Sequence, residues 1–287
     1  MTSSITKKQG ATHPVNIILG GIAGSISRTA TAPLELYKMQ RQNPYIKHTT
    51  LREVIQYEGV RGLWKGNLVN IYRIFPQMSI NYYIYNYVKT TKSMQTYSKE
   101  NPSKAHLLSG TIGGIVSTMC VYPLDTVRSR LSLQTNKQYY NGIFDTFRKM
   151  TTRELYSGLP VGLMGFVPFN ALNFVFYNLV KNKLVHSEGF VVLSDKVWTH
   201  LLSGGLAGVL SVTITYPTDV IRRRLHLQGF DDVVPVFKNT RECIKHIFFT
   251  EGFSGFYRGL FACYLKLFPA VGIQFSTMEY LKKTYNV

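Results

Sequence analysis

Three short runs in this 287-residue chain place an acid and a base three residues apart behind a proline: Pro33, Glu35 and Lys38; Pro123, Asp125 and Arg128; Pro217, Asp219 and Arg222. Residues three apart on a helix share a face, so each run presents a carboxylate beside a cation. Each proline lacks a backbone N–H and kinks the helix that carries it. One such pair alone would be an ordinary solvated ion pair. Recurring three times, the charges are tied to the kink, and three acids with three bases can close a ring of ion pairs between neighbouring helices. A second set of polar groups stands at mid-depth with no acid directly beside it: Asn70 and Arg73 in GNLVNIYRIFP, Lys266 in YLKLFP, and Arg28 in SRTATAPLE. Cations without acidic neighbours are costly in apolar segments, and a phosphorylated anion that neutralises them accounts for all three. Nothing points to bond-breaking chemistry. No Walker A loop, GxSxG elbow or pair of catalytic carboxylates occurs, so no enzyme is expected. Cys120, Cys243, Cys263 and the 7 histidines show no metal-ligand spacing, so no metal or catalytic cofactor is expected.

Lys and Arg number 33 against 15 Asp and Glu, a formal charge of +18, although charged residues make up only 17% of the chain. Such an excess calls for an anionic partner: nucleic acid, an anionic bilayer or an acidic substrate. The 19 Tyr and 17 Phe suit interfacial belts of a membrane protein. Mean hydropathy is −0.02 and no 18 consecutive residues are uninterruptedly apolar, so hydropathy alone does not separate a soluble helical protein from a transporter whose helices face a watery cavity. Lys7 and Lys8 precede no apolar core, so a secretory signal is not expected.

The charged runs must be positioned by repeated elements. Their prolines lie 90 and 94 residues apart, nearly a third of the chain each time. Glycine pairs precede them as Gly20-Gly21-x-x-Gly24, Gly110-x-x-Gly113-Gly114 and Gly204-Gly205-x-x-Gly208, a spacing that lets membrane helices approach closely. An aromatic-x-Gly triplet follows as Trp64-Lys65-Gly66, Tyr156-Ser157-Gly158 and Tyr257-Arg258-Gly259. Each triplet opens an apolar stretch ending at Tyr85-Asn86-x-x-Lys89, Tyr177-Asn178-x-x-Lys181 or Met278-Glu279-x-x-Lys282. Four landmarks in one order, three times, define repeats over about 14–92, 104–184 and 198–284 of a single domain spanning 1–287. The predicted elements are six helices, about 14–42, 68–92, 104–134, 160–184, 198–229 and 261–284, with short helices near 49–57, 141–150 and 238–249.

The triple Pro-x-[Asp/Glu]-x-x-[Lys/Arg] pattern with its trailing aromatic-basic-Gly resembles the mitochondrial carrier family from about Val15 to Lys283. That resemblance implies an all-α membrane protein: six transmembrane helices in three pseudo-threefold repeats, short matrix-side helices, one mid-membrane substrate site and alternating access. It implies a matrix salt-bridge network of Glu35, Lys38, Asp125, Arg128, Asp219 and Arg222. A glutamine brace occurs once, at Gln42, with Ser132 and His226 at the corresponding positions. The cytoplasmic network departs from the family. Lys89, Lys181 and Lys282 are present, but Asn86 and Asn178 replace two acids and leave Glu279 alone, which predicts a weak cytoplasmic gate and a bias towards the cytoplasm-open state.

The mid-depth residues Arg28, Asn70, Arg73, Gly165, Phe166 and Lys266, with Asn170 following, resemble the nucleotide-transporting branch of adenine nucleotide, ATP-Mg/phosphate and coenzyme A carriers. There a Gly-plus-aliphatic pair shapes a flat adenine pocket; Phe166 in the aliphatic place either stacks on the base or narrows the pocket. Arg222, Arg223 and Arg224 resemble the ADP/ATP carrier signature, with Leu225-His226-Leu227 in place of its methionines. No acidic calcium-binding stretch precedes residue 14, which disfavours the calcium-regulated type. Exchange of ADP and ATP is therefore expected, with coenzyme A or another nucleotide-like anion as the alternative. The triplets, as Trp64, Lys65, Gly66, Gly158, Tyr257, Arg258 and Gly259, imply sites for cardiolipin at exposed helix N-termini, weaker in the second repeat where Ser157 replaces the base. A monomer in the inner membrane of a mitochondrion or related organelle is expected, with no nucleic-acid partner, because no nucleic-acid-binding signature occurs and a helical repeat on nucleic acid does not need these glycines and prolines.

Overall fold

The computed structural model describes residues 14–45, 50–134, 139–186, 196–230 and 234–285. Twelve α-helices occur among them: α1 Pro14–Ala30, α2 Ala32–Gln42, α3 Leu51–Glu58, α4 Asn67–Thr90, α5 Lys92–Glu100, α6 Pro102–Leu133, α7 Ile143–Lys149, α8 Thr152–Leu155, α9 Leu159–His186, α10 Lys196–Leu227, α11 Thr240–Glu251 and α12 Leu260–Tyr285. The predicted first helix is divided into α1 and α2 at Thr31. Pro33 stands in the first turn of α2 and withholds an N–H there, whereas Pro123 and Pro217 are accommodated inside continuous helices. The even-numbered long helices of the sequence reading carry prolines too, Pro76, Pro168 and Pro269, at matching depth. The surface helix α5, joining the first two repeats at the end opposite the charged runs, was not among the predicted elements.

The long segments form a closed circuit. α4 packs on α6, α9 on α10, and α12 on α1, while α1–α4, α6–α9 and α10–α12 contacts join the members within each repeat. α2, α6 and α10 also meet one another, so the kinked helices converge at one end. Bare glycine faces make the pairing within repeats close: a Cβ at Gly21 would run into the ring of Phe75, and one at Gly114 into the ring of Phe166. At the convergent end Leu36, Met39, Val69, Val127, Leu131 and Leu227 form the largest apolar core.

The outer surface is apolar in stripes of four-residue period: Ile18, Ile22 and Ile26 on α1; Leu108 and Ile112 on α6; Leu206, Leu210 and Ile214 on α10. Contiguous exposed aliphatic stripes on every kinked helix fit a hydrocarbon surround, and all-helical backbone satisfies its own hydrogen bonds there. Three segments among the described residues, Pro102–Leu133, Thr152–Lys183 and Phe253–Tyr285, are long and apolar enough to cross a membrane. The fold is that of an all-α membrane protein with threefold pseudosymmetry.

Candidate functional site

The three charged runs meet at the convergent end, each acid reaching the base of the next repeat. Glu35 lies 3.4 Å from Arg128, Asp125 2.5 Å from Arg222, and Asp219 2.6 Å from Lys38. The kink turns the last turns of α2, α6 and α10 inward, and the i, i+3 spacing aims each acid at one neighbour and each base at the other. Gln42 donates to Asp219 Oδ2 and to the Tyr216 hydroxyl, each at 3.1 Å, bracing the Lys38–Asp219 pair. His226, at the corresponding place in the third repeat, contacts the Tyr122 hydroxyl at 2.9 Å and Ser129 Oγ at 3.0 Å. It reproduces the tyrosine half of the brace without touching a carboxylate. Ser132 donates instead to the Lys65 carbonyl at 3.1 Å.

Two of the mid-depth cations are not free of acids, which corrects the sequence reading. Arg73 is paired with Asp125, and Lys266 lies 2.6 Å from Glu35. Their own stretches contain no acid, but the kinks carry acids from other helices up to them, a relation invisible in local sequence. Arg28 donates to Asn70 Oδ1 at 2.9 Å, and among the described residues no acid is paired with it. The site cations and the ring therefore form one network rather than two layers.

The three consecutive arginines have three separate placements. Arg222 is in the ring. Arg223 crosses the axis, donating to Ser129 Oγ at 2.9 Å and lying 3.6 Å from Glu35 and 3.9 Å from Asp219, one residue from each repeat. Arg224 is buried and forms a two-pronged pair with Glu251, which also holds Arg258 at 3.0 Å. Arg130 and Glu154, 3.1 Å apart, match that pair in the second repeat. The sequence reading missed both. The available signals were the base two residues after the second and third motif bases, Arg130 and Arg224, and the acids Glu154 and Glu251 shortly upstream of the corresponding triplets.

Beside the ring a cavity of about 250 Å³ opens between α9, α10 and α12, lined by Gly165, Phe166, Phe169, Tyr216, Lys38 and Arg222 among others. Phe166 is one wall of it, its ring seated on the bare face of Gly114. Gly165 is buried against Thr218, and Asn170 is engaged with its own helix, donating to the Phe166 carbonyl at 2.8 Å.

At the opposite end the charges stay apart. Among the described residues no ion pair joins Lys89, Lys181, Glu279 and Lys282. Lys89 and Lys181 each sit 5.9 Å from the ring centre of a tyrosine on their own helix, Tyr85 and Tyr177. Asn86 and Asn178 donate back to the carbonyls of Tyr82 and Phe174, each at 2.9 Å, and among the described residues reach across to no other helix.

The triplet glycines have a steric reason to be glycine. Gly66, Gly158 and Gly259 adopt φ of 71°, 80° and 82°, and a Cβ on each would stand 3.1, 3.2 and 3.0 Å from the carbonyl oxygen of Arg128, Arg222 and Lys38 in the next repeat. Trp64 Nε1 donates to the Thr29 carbonyl at 2.9 Å, while Tyr156 and Tyr257 stack on Tyr122 and Tyr216. Lys65 lies 2.5 Å from Glu58, so it and Arg258 each have an acidic partner. Grooves of about 630 Å³ beside Arg41, Arg258 and Gly259, and about 330 Å³ beside Lys65, Gly66 and Gln134, flank two of the triplets.

A lipid-facing circuit of kinked helices, closed at one end by a ring of inter-repeat ion pairs and surrounding a basic interior, defines a multi-pass membrane carrier. The profile of the mitochondrial carrier protein family matches three times, over residues 9–96, 99–188 and 194–287, and the chain belongs to that family of transporters. Mitochondrial substrate carrier family protein A of Dictyostelium discoideum is 34% identical over 282 residues, covering 93% of this chain and 84% of the relative. The mitochondrial adenine nucleotide transporter ADNT1 of Arabidopsis thaliana is 34% identical over 310 residues, covering 95% and 87%. Solute carrier family 25 member 16 of Mus musculus is 33% identical over 298 residues, covering 95% and 88%.

Proposed function

We propose that this carrier exchanges adenine nucleotides, ADP for ATP, by alternating access across the inner membrane of a mitochondrion or related organelle. The observation that carries the reading is how Arg73 and Lys266 are held. Each shares its acid with a second cation, so a phosphate chain can take both without stranding a carboxylate: Asp125 keeps Arg222, and Glu35 keeps Arg128 and Arg223. Arg28, held by a neutral amide, is a third cation open to the same chain. The aromatic-walled cavity next to them, bounded by Gly165 and Phe166, suits a planar base. A relative named as an adenine nucleotide transporter supports the class of substrate.

The closed ring would then be the matrix gate, and the unpaired end would face the cytoplasm. Anionic phospholipid, cardiolipin in particular, would occupy the grooves beside Gly66 and Gly259, its phosphates on the exposed N–H groups of α4 and α12. A monomer suffices, because the circuit surrounds one pathway.

Coenzyme A or a related nucleotide-like anion is the second reading, favoured by Leu225-His226-Leu227 after the arginines. Counter-exchange in liposomes loaded with ADP, ATP, AMP, coenzyme A, deoxynucleotides or thiamine diphosphate separates the two. Uptake of another anion with no adenine nucleotide exchanged would end the first reading. Full exchange by an Arg73→Ala variant would end the site assignment.

A further inference from the structure

We infer that His106 is a positioning residue of the open end: by holding the hydroxyl of Tyr85 it latches the first repeat to the second while that end stands apart. This rests on reading the unpaired end as a gate, and on no choice of substrate.

Tyr85 begins the run Tyr85-Asn86-x-x-Lys89 near the end of α4. Its hydroxyl lies 2.6 Å from Nδ1 of His106 on α6, and the two rings stack with centres 6.2 Å apart and planes 19° from parallel. Lys89 Nζ sits 5.9 Å from the centre of the same tyrosine ring. Tyr85 therefore crosses between repeats where its neighbour Asn86 bonds back along its own helix.

The pair follows the repeat. His106 stands seventeen residues before Pro123, and the run His106-Leu107-Leu108-Ser109-Gly110 recurs as His200-Leu201-Leu202-Ser203-Gly204, seventeen before Pro217. The helices that precede these runs end in Tyr85-Asn86 and Tyr177-Asn178. At the third junction the same places hold Met278 and Asn16, and a thioether has no proton to donate. Tyrosine and histidine thus occur together at two junctions and are missing together from the third. The side chain of His200 lies outside the described residues, so the second pair rests on the sequence pattern.

The seam between α4 and α6 fixes what the latch does. One turn nearer the ring than Tyr85, Asn81 presses on the bare face of Gly113: a Cβ there would stand 2.5 Å from Asn81 Oδ1 and 2.9 Å from its carbonyl oxygen. Helices this close cannot approach further, so the end of α4 beyond that contact moves by pivoting on it. Asn86 and Lys89 lie on the pivoting end, within about one turn of Tyr85. Bringing Lys89 to the axis draws the Tyr85 hydroxyl off His106, and keeping the bond keeps Lys89 at the wall. A neutral hydrogen bond open to water is weak, but this one is made in one state and not the other, which is what moves a conformational balance.

The test is labelling of Phe169→Cys, on the cavity wall, in a Cys120→Ser, Cys243→Ala, Cys263→Ala background, by an impermeant maleimide added outside proteoliposomes. Insertion in both orientations gives a fast phase from molecules presenting the open end. Molecules presenting the ring label slowly, in proportion to how often the ring end opens. Tyr85→Phe keeps the ring and removes the hydroxyl, and should speed the slow phase about three- to fivefold, the span of one such hydrogen bond. His106→Leu should do the same. His106→Asn, whose amide replaces Nδ1 as the polar partner, should return the parent rate, which a role in packing alone would not give. A slow phase unchanged by Tyr85→Phe, or raised equally by His106→Leu and His106→Asn, overturns the inference. Asn86→Asp with Asn178→Asp, run alongside, separates its failure from that of the gate reading. If that double change speeds the slow phase and Tyr85→Phe does not, the end is a gate without this latch. If neither does, the gate reading falls and the latch falls with it.

Discussion

Asp125 holds two guanidinium groups at once, Arg222 at 2.5 Å on one oxygen and Arg73 on the other, and its side chain is 5% exposed. Among the described residues neither arginine is paired with another acid. Asp125→Asn therefore leaves two buried cations without a counter-charge, and breaking a buried pair from one side costs about 3–5 kcal/mol. Asp219→Asn is a milder change, since it strands one buried cation, Lys38, rather than two: Asp219 is 28% exposed, Arg223 keeps Glu35, and Gln42 keeps the Tyr216 hydroxyl. Its cost should be about 2 kcal/mol, given partial solvent screening. The two variants should thus differ by at least ~1.4 kcal/mol, a factor of about ten in equilibrium terms. The assay is thermal unfolding in detergent, followed with a maleimide dye that labels buried cysteines as they open. Adding Arg73→Gln to Asp125→Asn removes one stranded guanidinium and should recover about 1–2 kcal/mol. Equal losses in the two single variants, or no recovery in the double variant, would refute the idea that Asp125 is more heavily committed than Asp219.

Gly259→Ala should cost about 1–3 kcal/mol, since its positive φ and the Lys38 carbonyl leave no room for a Cβ. Gly204→Ala, with open space around it, should stay within about 0.5 kcal/mol in the same unfolding assay. Asn86→Asp with Asn178→Asp would let Lys89, Lys181 and Lys282 find carboxylates only when the open end closes. Even ~1 kcal/mol net would shift the two-state balance about fivefold, read as slower maleimide labelling from the open side of Phe169→Cys, on the cavity wall, in a Cys120→Ser, Cys243→Ala, Cys263→Ala background. Unchanged labelling would deny these asparagines any part in gating. Burial pushes the Cys243 thiol up to about 12, so it carries almost no thiolate near neutral pH. It should remain unmodified by maleimide at pH 7 until the protein unfolds, whatever the substrate present.

The elements were legible because each repeat prints the same landmarks. The prolines, glycine pairs and triplets place six long helices to within two or three residues, and the i, i+3 charges already specify a ring. What the sequence could not yield is which acid meets which mid-depth base. Lys266 and Glu35 are 231 residues apart and pair only because the kink at Pro33 lifts Glu35 towards α12. Local spacing carries no such information, so Arg73 and Lys266 read as cations without acids. Arg130 and Arg224 were unreadable for a related reason: their acids lie 24 and 27 residues downstream, beyond any helical period. Phe166 was legible as a wall of the pocket, while its seat on Gly114 needed the packing of α9 against α6.

The ring is threefold in its pairs but not in what supports them. Glu35 and Asp125 are each held from the cavity side by a cation, Lys266 or Arg73, whereas Asp219 is held by Gln42. A ligand can shift a conformational equilibrium only by interacting differently with the two states. If an anion draws Arg73 and Lys266 away, Glu35 and Asp125 each lose one cation at the moment of binding, while Lys38–Asp219 loses nothing. Binding would then loosen two of the three pairs and leave the braced one to be broken by the motion itself. The Lys38–Asp219 pair and Gln42 should accordingly set the barrier to opening, and Arg73 and Lys266 should set how much of that barrier the substrate removes. On the proposed function the departures from symmetry would divide the work: the cation-backed acids would sense the anion, and the amide-backed acid would keep the end shut without it.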